Sequence, residues 1–457
     1  MAAALRRSPQ VDRIDIAPGN AGMEKYGICH DVKAMDIPGV IKLAKELQPD
    51  LVLVAADDPL AAGLVDDLQK EGFLCFGPTK GAARIEWDKN FAKRLMWHNG
   101  VPTPQSSTFV NVEEALDYVE LHPYPLVIKA NGLALGKGVL ICKTPEEAKA
   151  AIQELMVDKK FGPSGDLLLV EEFVQGEELS VLAFCDGERV ALMPNSRDHK
   201  KAFDGDEGPN TGGMGVVCPT LVLTPEDEAY LIRRFFTPIL RGLQEEGVPF
   251  RGVLYAGLIF NNHYRSHVLE LTEGEDETKV GEDDKVNPLL KSAWVLEYNS
   301  RFGDPEAEAI LPLLESDFYE ICESVAKGEL DPEKVTWKEA SVATVIYASQ
   351  GYPAHYEKGL PFYGLTADGA GISSYEGKVG EDYVVYHCGT KHPAPQAVPS
   401  NAKGEEAHFV SNGGRVLAVS HQGKTAKEAI SAAYEAIAHI DFPGGFYRKD
   451  IGHTICE

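Results

Sequence analysis

The sequence predicts a multidomain protein of mixed α/β and α+β class. It has a parallel α/β layer at the N-terminus, a strand-rich central region with glycine-rich loops, and a β-rich C-terminal region. Three observations carry this. Strand-like and helix-like runs alternate over the first ninety residues, which is the pattern of a parallel sheet with its sites at the strand C-termini. From Asp88 the pattern turns to an amphipathic helix and then to strands separated by glycine-rich turns. Beyond Ser341, closely spaced β-rich runs close on one helix. A length of 457 residues accommodates several domains, and 44% hydrophobic with 25% charged residues is a globular composition. The expected divisions are an N-terminal substrate domain over 1–87, a central domain over 88–340, and a C-terminal domain over 341–457.

The opening MAAALRRSPQ reads as the end of a surface helix. Its apolar run is too short for a secretory core, and acids follow at Asp12 and Asp15. RIDIA (13–17) is a strand, IPGVIKLAKELQP (37–49) a helix, LVLVAA (51–56) a buried strand, LAAGLVDDLQKEG (60–72) a helix, and FLCFGPT (73–79) a strand and turn. DKNFAKRLMWHNG (88–100) is the amphipathic helix that opens the central region. ASVATVIYAS, DYVVYHCGT, AHFVSNGG and RVLAVSHQG are C-terminal strands, and TAKEAISAAYEAIAHI is the closing helix.

Charge and cysteine usage exclude several classes. A formal net charge of −26 repels phosphate backbones and anionic lipid, so neither nucleic acid nor membrane is expected as a partner. No run of 18 apolar residues occurs. The eight cysteines form no CxxC pair and read as free or buried thiols of a cytoplasmic protein. The acidic stretch within 270–290 shows no EF-hand spacing and reads as a solvated insertion whose removal leaves activity nearly unchanged.

Four motifs carry chemistry. YPLVIKANGLALGKGVLI (124–141) is strand, glycine turn, strand. Lys129 leaves the first strand, and Lys137 stands between Gly136 and Gly138, where backbone N–H groups and two ammoniums suit phosphate oxygens. It does not match GxxxxGK[ST]. In LLLVEEFVQGEELS (167–180), Glu172, Phe173 and Val174 suit an adenine edge and Glu178 suits ribose hydroxyls. VLEYNSRFGDPE (295–306) is a strand whose two-residue period puts Glu297 and Asn299 on one face as oxygen ligands for Mg²⁺, completed by nucleotide phosphates. Arg301 and Asp304 follow around Gly303, the arginine as a cation for a carboxylate or phosphate. Glu270 has the same local preface as Glu297 but lacks the asparagine two positions on. Finally, NSRDHKKAFDGDEGPNTGGMG (195–215) reads as a long polar loop of lid type, with His199 as a surface hydrogen-bonding residue.

Taken together, FGPT, the Lys129 loop, EEFVQGEE, RDHK, GPNTGGMG (208–215), LYAGLI (254–259), LEYNSRFGDPE and NGGRVLAV (412–419) resemble the phosphoribosylamine–glycine ligase family of the ATP-grasp superfamily, in order and over nearly the whole chain. GPNTGGMG with RFGDPE distinguishes this family from other ATP-grasp ligases and from biotin-carboxylase-like enzymes. The resemblance implies an ATP-grasp fold for the central region. It also implies ATP-dependent joining of glycine to 5-phosphoribosylamine through an acyl phosphate, in purine biosynthesis. By the same resemblance Lys129 and Lys137 are phosphate lysines, Glu172, Phe173, Val174 and Glu178 nucleotide contacts, and Glu297 with Asn299 ligands of Mg²⁺ or Mn²⁺. Asp206, Asn210, Thr211, Gly212 and Gly213 fall in the loop over glycine and the phosphoryl group, and Arg301 and Asp304 lie where amine and phosphate meet. The family's opening strand and GNGGREHA-type turn are not found before the first helix. This sets a second expectation beside the first: a shortened chain that binds nucleotide but handles the amine poorly.

Overall fold

A computed structural model describes residues 1–133, 138–261, 285–396 and 398–455. In the N-terminal layer the parallel pairing is present but short. Asp15–Ile16 pairs with Ile28–Cys29, and Val52–Leu53 with Cys75–Phe76, as two separate two-stranded sheets rather than one. The helix expected over 60–72 is two helices, Asp57–Ala62 and Leu64–Lys70. They are divided by Gly63 at φ +97°, a left-handed conformation that ends the first helix and that glycine adopts without Cβ strain. Leu60, Leu64, Val65, Leu68 and Cys75 close the small core here.

The central region holds two antiparallel four-stranded sheets. One runs Ser106–Phe109, Leu168–Glu172, Leu126–Ala130, Val139–Cys142, with helices Val112–Leu121 and Pro145–Ile152 sharing its core. The other runs Val190–Leu192, Gly176–Cys185, Gly252–Asn261, Ala293–Asn299. Helix Lys89–His98 starts at Asp88, whose carboxylate caps the Phe91 N–H, and buries Phe91, Ala92, Leu95 and Met96 with the second sheet's core.

The 195–215 segment differs from the loop expected. Arg197–Asp198 and Gly215–Cys218 are strands of a six-stranded sheet, joined to Ser341–Ser349, Arg415–Gly423, Tyr383–His387 and Gly445–Phe446. Lys201–Phe203 and Glu207–Asn210 form a hairpin between them. Val216, Val217 and Cys218 are fully buried, so this polar stretch is anchored by apolar strand residues at its end. The division near 341 therefore cuts the sequence but not the sheet. Helix Ala426–Ile437 covers that sheet through Ala429, Ala433, Ala436 and Ile437.

Candidate active site

The edge strand Ala293–Asn299 sets the geometry. Tyr298 is 1% exposed and donates its hydroxyl to Phe235 O, which fixes that face of the strand to the core. By the two-residue period Glu297 and Asn299 emerge together on the opposite face, half-buried, opposite Gly257 and Tyr255 of the neighbouring strand. Burial alone would raise the Glu297 pKa. Lys200, Lys129, Lys89 and Arg301 act against it, and the result is a carboxylate held below its ordinary range. An ionised oxygen donor beside an amide oxygen is a donor set for a hard divalent cation. Among the described residues no group of three or more His, Cys, Asp or Glu gathers as a metal site. A divalent ion would therefore rest on this pair plus ligand oxygens.

The other sheet brings the phosphate lysine. Lys129, in register with Val139, is buried, and its Nζ lies 2.7 Å from Glu171 Oε2. The glycine turn between these strands is in part outside the described residues, including Gly136 and Lys137; Gly138 accepts the Ala130 N–H at 3.0 Å. Glu270 and the acidic residues 270–284 are likewise outside them, while the remainder of that insertion, 285–290, is described. At the segment between the sheets, Glu172 Oε1 accepts the Gln105 N–H at 2.9 Å. Phe173 is exposed and Val174 buried. Glu178 pairs with Lys200 Nζ at 2.6 Å.

The loop residues act largely on one another. Thr211 takes Lys200 O with both its N–H (2.7 Å) and its hydroxyl (2.8 Å), and accepts from Gly213 N. Asn210 faces Lys201 across the hairpin, and Gly212 donates to the Tyr352 hydroxyl. Arg415, from the NGGRVLAV motif, donates to Gly212 O and Asp304 O and lies 3.1 Å from Asp304 Oδ1. Arg301 is positioned by Glu86 at 2.8 Å, and Glu86 also takes the Ser300 N–H and hydroxyl. The Asp206 carboxylate meets fully buried Arg448 at 2.9 Å, with His453 beyond. His199 is a correction, since it does not lie at the surface: it is 4% exposed, its Nδ1 lies 3.2 Å from Gly215 O, and its Nε2 accepts the Gly452 N–H.

The sequence reading gives no role to Lys89, Lys93, Glu171, Lys200 or Arg415, although Lys200 closes RDHK and Arg415 lies in NGGRVLAV. Lys89 donates to Gly132 O at 2.8 Å and is among the charges that act on Glu297. Its signal was present in the Asp-Lys pair that opens helix Lys89–His98. Also missed is an acid pair behind the loop. Glu306 Oε1 accepts from the hydroxyls of Tyr255 (2.6 Å) and Ser180 (3.2 Å), and burial together with Glu306 holds the Asp198 carboxyl well above its usual range.

Two antiparallel sheets, one presenting Lys129 and the other a carboxylate–amide pair, are the arrangement of an ATP-grasp enzyme, a class that transfers a phosphoryl group from ATP. Family models agree in order along the chain. Phosphoribosylglycinamide synthetase N domain matches 1–86, its ATP-grasp (A) domain 87–274, and its C domain 342–454. The chain is 39% identical over 446 residues to the phosphoribosylamine–glycine ligase of Halalkalibacterium halodurans, covering 98% of this chain and 92% of that protein. It is 38% identical to the chloroplastic phosphoribosylamine–glycine ligase of Arabidopsis thaliana, covering 98% and 76%. The crystal structure of the Thermotoga maritima ligase superposes with a TM-score of 0.74 at 29% identity, covering 98% and 96%. A biotin carboxylase domain from Hydrogenobacter thermophilus shares the fold, with a TM-score of 0.64 at 15% identity. This chain belongs to the phosphoribosylamine–glycine ligase family.

Proposed function

We propose that this chain joins glycine to 5-phosphoribosylamine, giving glycinamide ribonucleotide, ADP and phosphate through a glycyl-phosphate intermediate in de novo purine biosynthesis. A carboxylate does not react with an amine until one of its oxygens becomes a leaving group, so the γ-phosphoryl of ATP is first transferred to glycine. Charge on the transferring group needs fixed cations. Lys129 and Lys89 supply them from the described residues, and Lys137 from the glycine turn. Glu297 and Asn299 would hold Mg²⁺, the ion in the MgADP complex of the Hydrogenobacter thermophilus biotin carboxylase domain. Mn²⁺ accepts the same oxygen donors. When bound, such an ion withdraws charge from the phosphate oxygens. The amine then attacks the acyl carbon and phosphate leaves. Water must be kept from the acyl phosphate, a task for the Gly208–Gly215 segment that Arg415 ties to Asp304. No described helix is long and apolar enough to cross a membrane.

The observation that carries this reading is the Glu297 carboxylate at the strand face opposite Gly257, kept ionised among Lys200, Lys129, Lys89 and Arg301. Glu297→Gln preserves shape and removes charge. Turnover is expected to collapse with the fold intact, and excess Mg²⁺ to restore only part of it. Lys129→Ala is expected to weaken ATP binding by about 1.5–3 kcal/mol, the range for a hydrogen bond to a charged group. Calorimetry showing unchanged ATP affinity would remove Lys129 from the site.

A further inference from the structure

Lys93 belongs to none of the groups the proposed reaction uses, yet it is buried in the middle of the central region. Its Nζ donates to Thr103 Oγ1 at 2.7 Å and lies 3.2 Å from Glu171 Oε1, a close ion contact that lacks hydrogen-bond alignment. The other oxygen of Glu171 holds Lys129 Nζ at 2.7 Å. Side-chain exposures in this triad are 8% for each lysine and 2% for the glutamate. Thr103 in turn donates its hydroxyl to Val295 O at 2.7 Å, two residues before Glu297, while Val295 donates its N–H to Pro102 O. The chain of contacts thus runs from the strand bearing Lys129, through Lys93 on its helix, to the strand bearing Glu297.

One carboxylate shared by two buried lysines leaves the triad with one excess positive charge. Without Lys93, Glu171 would neutralise Lys129 by itself. We infer that Lys93 is a positioning residue for nucleotide binding, which shares the Glu171 carboxylate so that Lys129 keeps uncompensated charge for ATP phosphates and fixes that lysine's strand against the Glu297 strand through Thr103. The inference rests on the reading of Lys129 as a phosphate lysine.

The groups facing Lys93 are Glu171 and Glu172 on one strand and Lys129 on the next, with Lys89 beyond Lys129. Burial lowers the Lys93 pKa to about 8, with Glu171 opposing the shift and Lys129 adding to it. Above that pH the excess charge disappears, so ATP affinity of the wild-type chain is expected to fall between pH 7 and pH 9.

The test is MgATP binding by calorimetry and steady-state kinetics from pH 7 to 9 on the full chain, for wild type, Lys93→Met, Lys93→Arg, Thr103→Val and Lys129→Ala. Lys93→Met is expected to raise the ATP Kd and KM roughly tenfold at pH 7, with a smaller change in kcat, and to flatten the pH dependence. Lys93→Arg restores affinity and holds it to pH 9. Thr103→Val keeps the charge and raises the Mg²⁺ concentration needed for half-maximal rate. If Lys93→Met fails to give a cooperative melt, the wild-type pH profile and Thr103→Val decide the matter. Unchanged ATP affinity in Lys93→Met, or a flat wild-type profile with an unaltered Mg²⁺ requirement in Thr103→Val, overturns the inference. Loss of affinity in Lys129→Ala without loss in Lys93→Met rejects this inference alone, whereas no loss in Lys129→Ala rejects the site reading beneath it.

Discussion

Gly213 stands at φ +107°, and a Cβ there would lie 2.4 Å from Pro305 Cδ and 2.6 Å from Asp198 Oδ1. No side chain fits without moving either the RFGDPE turn or the acid pair. Gly213→Ala is expected to cost about 1–2 kcal/mol from the backbone conformation alone. Displacement of the loop adds to this, so turnover should fall further than ATP affinity; melting curves with ATP calorimetry check both. His199 and His387 give a second expectation at this scale. Burial lowers each to about 4, with Arg448 assisting at His199. An unfolded histidine titrates near 6.5, so between about 6.5 and 4 the unfolded chain binds more protons and stability is lost as pH falls, by up to about 1.4 kcal/mol per pH unit for each histidine. Thermal melts from pH 7 to 4 measure the slope, and His199→Asn should make it shallower. Residues differ in how far they could be read from sequence. That Glu297 and Asn299 share one face of a strand was legible, because a strand's period needs no tertiary information. Lys93, Glu171 and Arg415 were not, because each owes its role to a partner far along the chain. The Asp206–Arg448 contact is hidden from the sequence for the same reason, Arg448 lying near the C-terminal end.

The largest departure between elements and sequence pattern is the 197–218 ribbon. Its glycines and charges read as a loop, since local composition does not register that two short strands complete a sheet begun after residue 340. What holds the ribbon is Arg448, which donates to Lys201 O at 3.0 Å and to both Asp450 oxygens at 2.8 Å, and pairs with Asp206. Asp450 in turn accepts the Gly205 N–H. Arg448 is buried while its partners Asp450 and Asp206 reach solvent, which softens the loss of their counter-charge, so Arg448→Met is expected to cost on the order of 2 kcal/mol. Proteolysis within 201–210 should then accelerate before global unfolding, and limited digestion with mass mapping tests this. The strands at Leu126–Ala130 and Val139–Cys142 and the helix at Lys89–His98 were legible, because apolar periodicity and an Asp cap suffice to define them. The N-terminal strands were legible in place but not in extent. RIDIA and LVLVAA contribute two paired residues each.

Across the whole molecule, the site draws on both central sheets, the ribbon and the C-terminal region, which supplies Arg415. Motif order along the chain revealed the family before any contact was known; the sharing of one sheet across residue 341 required the fold. These parts make one ligase rather than a nucleotide-binding relative, and coupled ADP release by the full chain with ATP and Mg²⁺, omitting glycine and phosphoribosylamine in turn, tests this most directly. Sustained ADP release is expected only with both substrates present, and it is expected to collapse in Glu297→Gln. ADP release that continues without glycine, or that is unaffected by Glu297→Gln, would contradict this expectation.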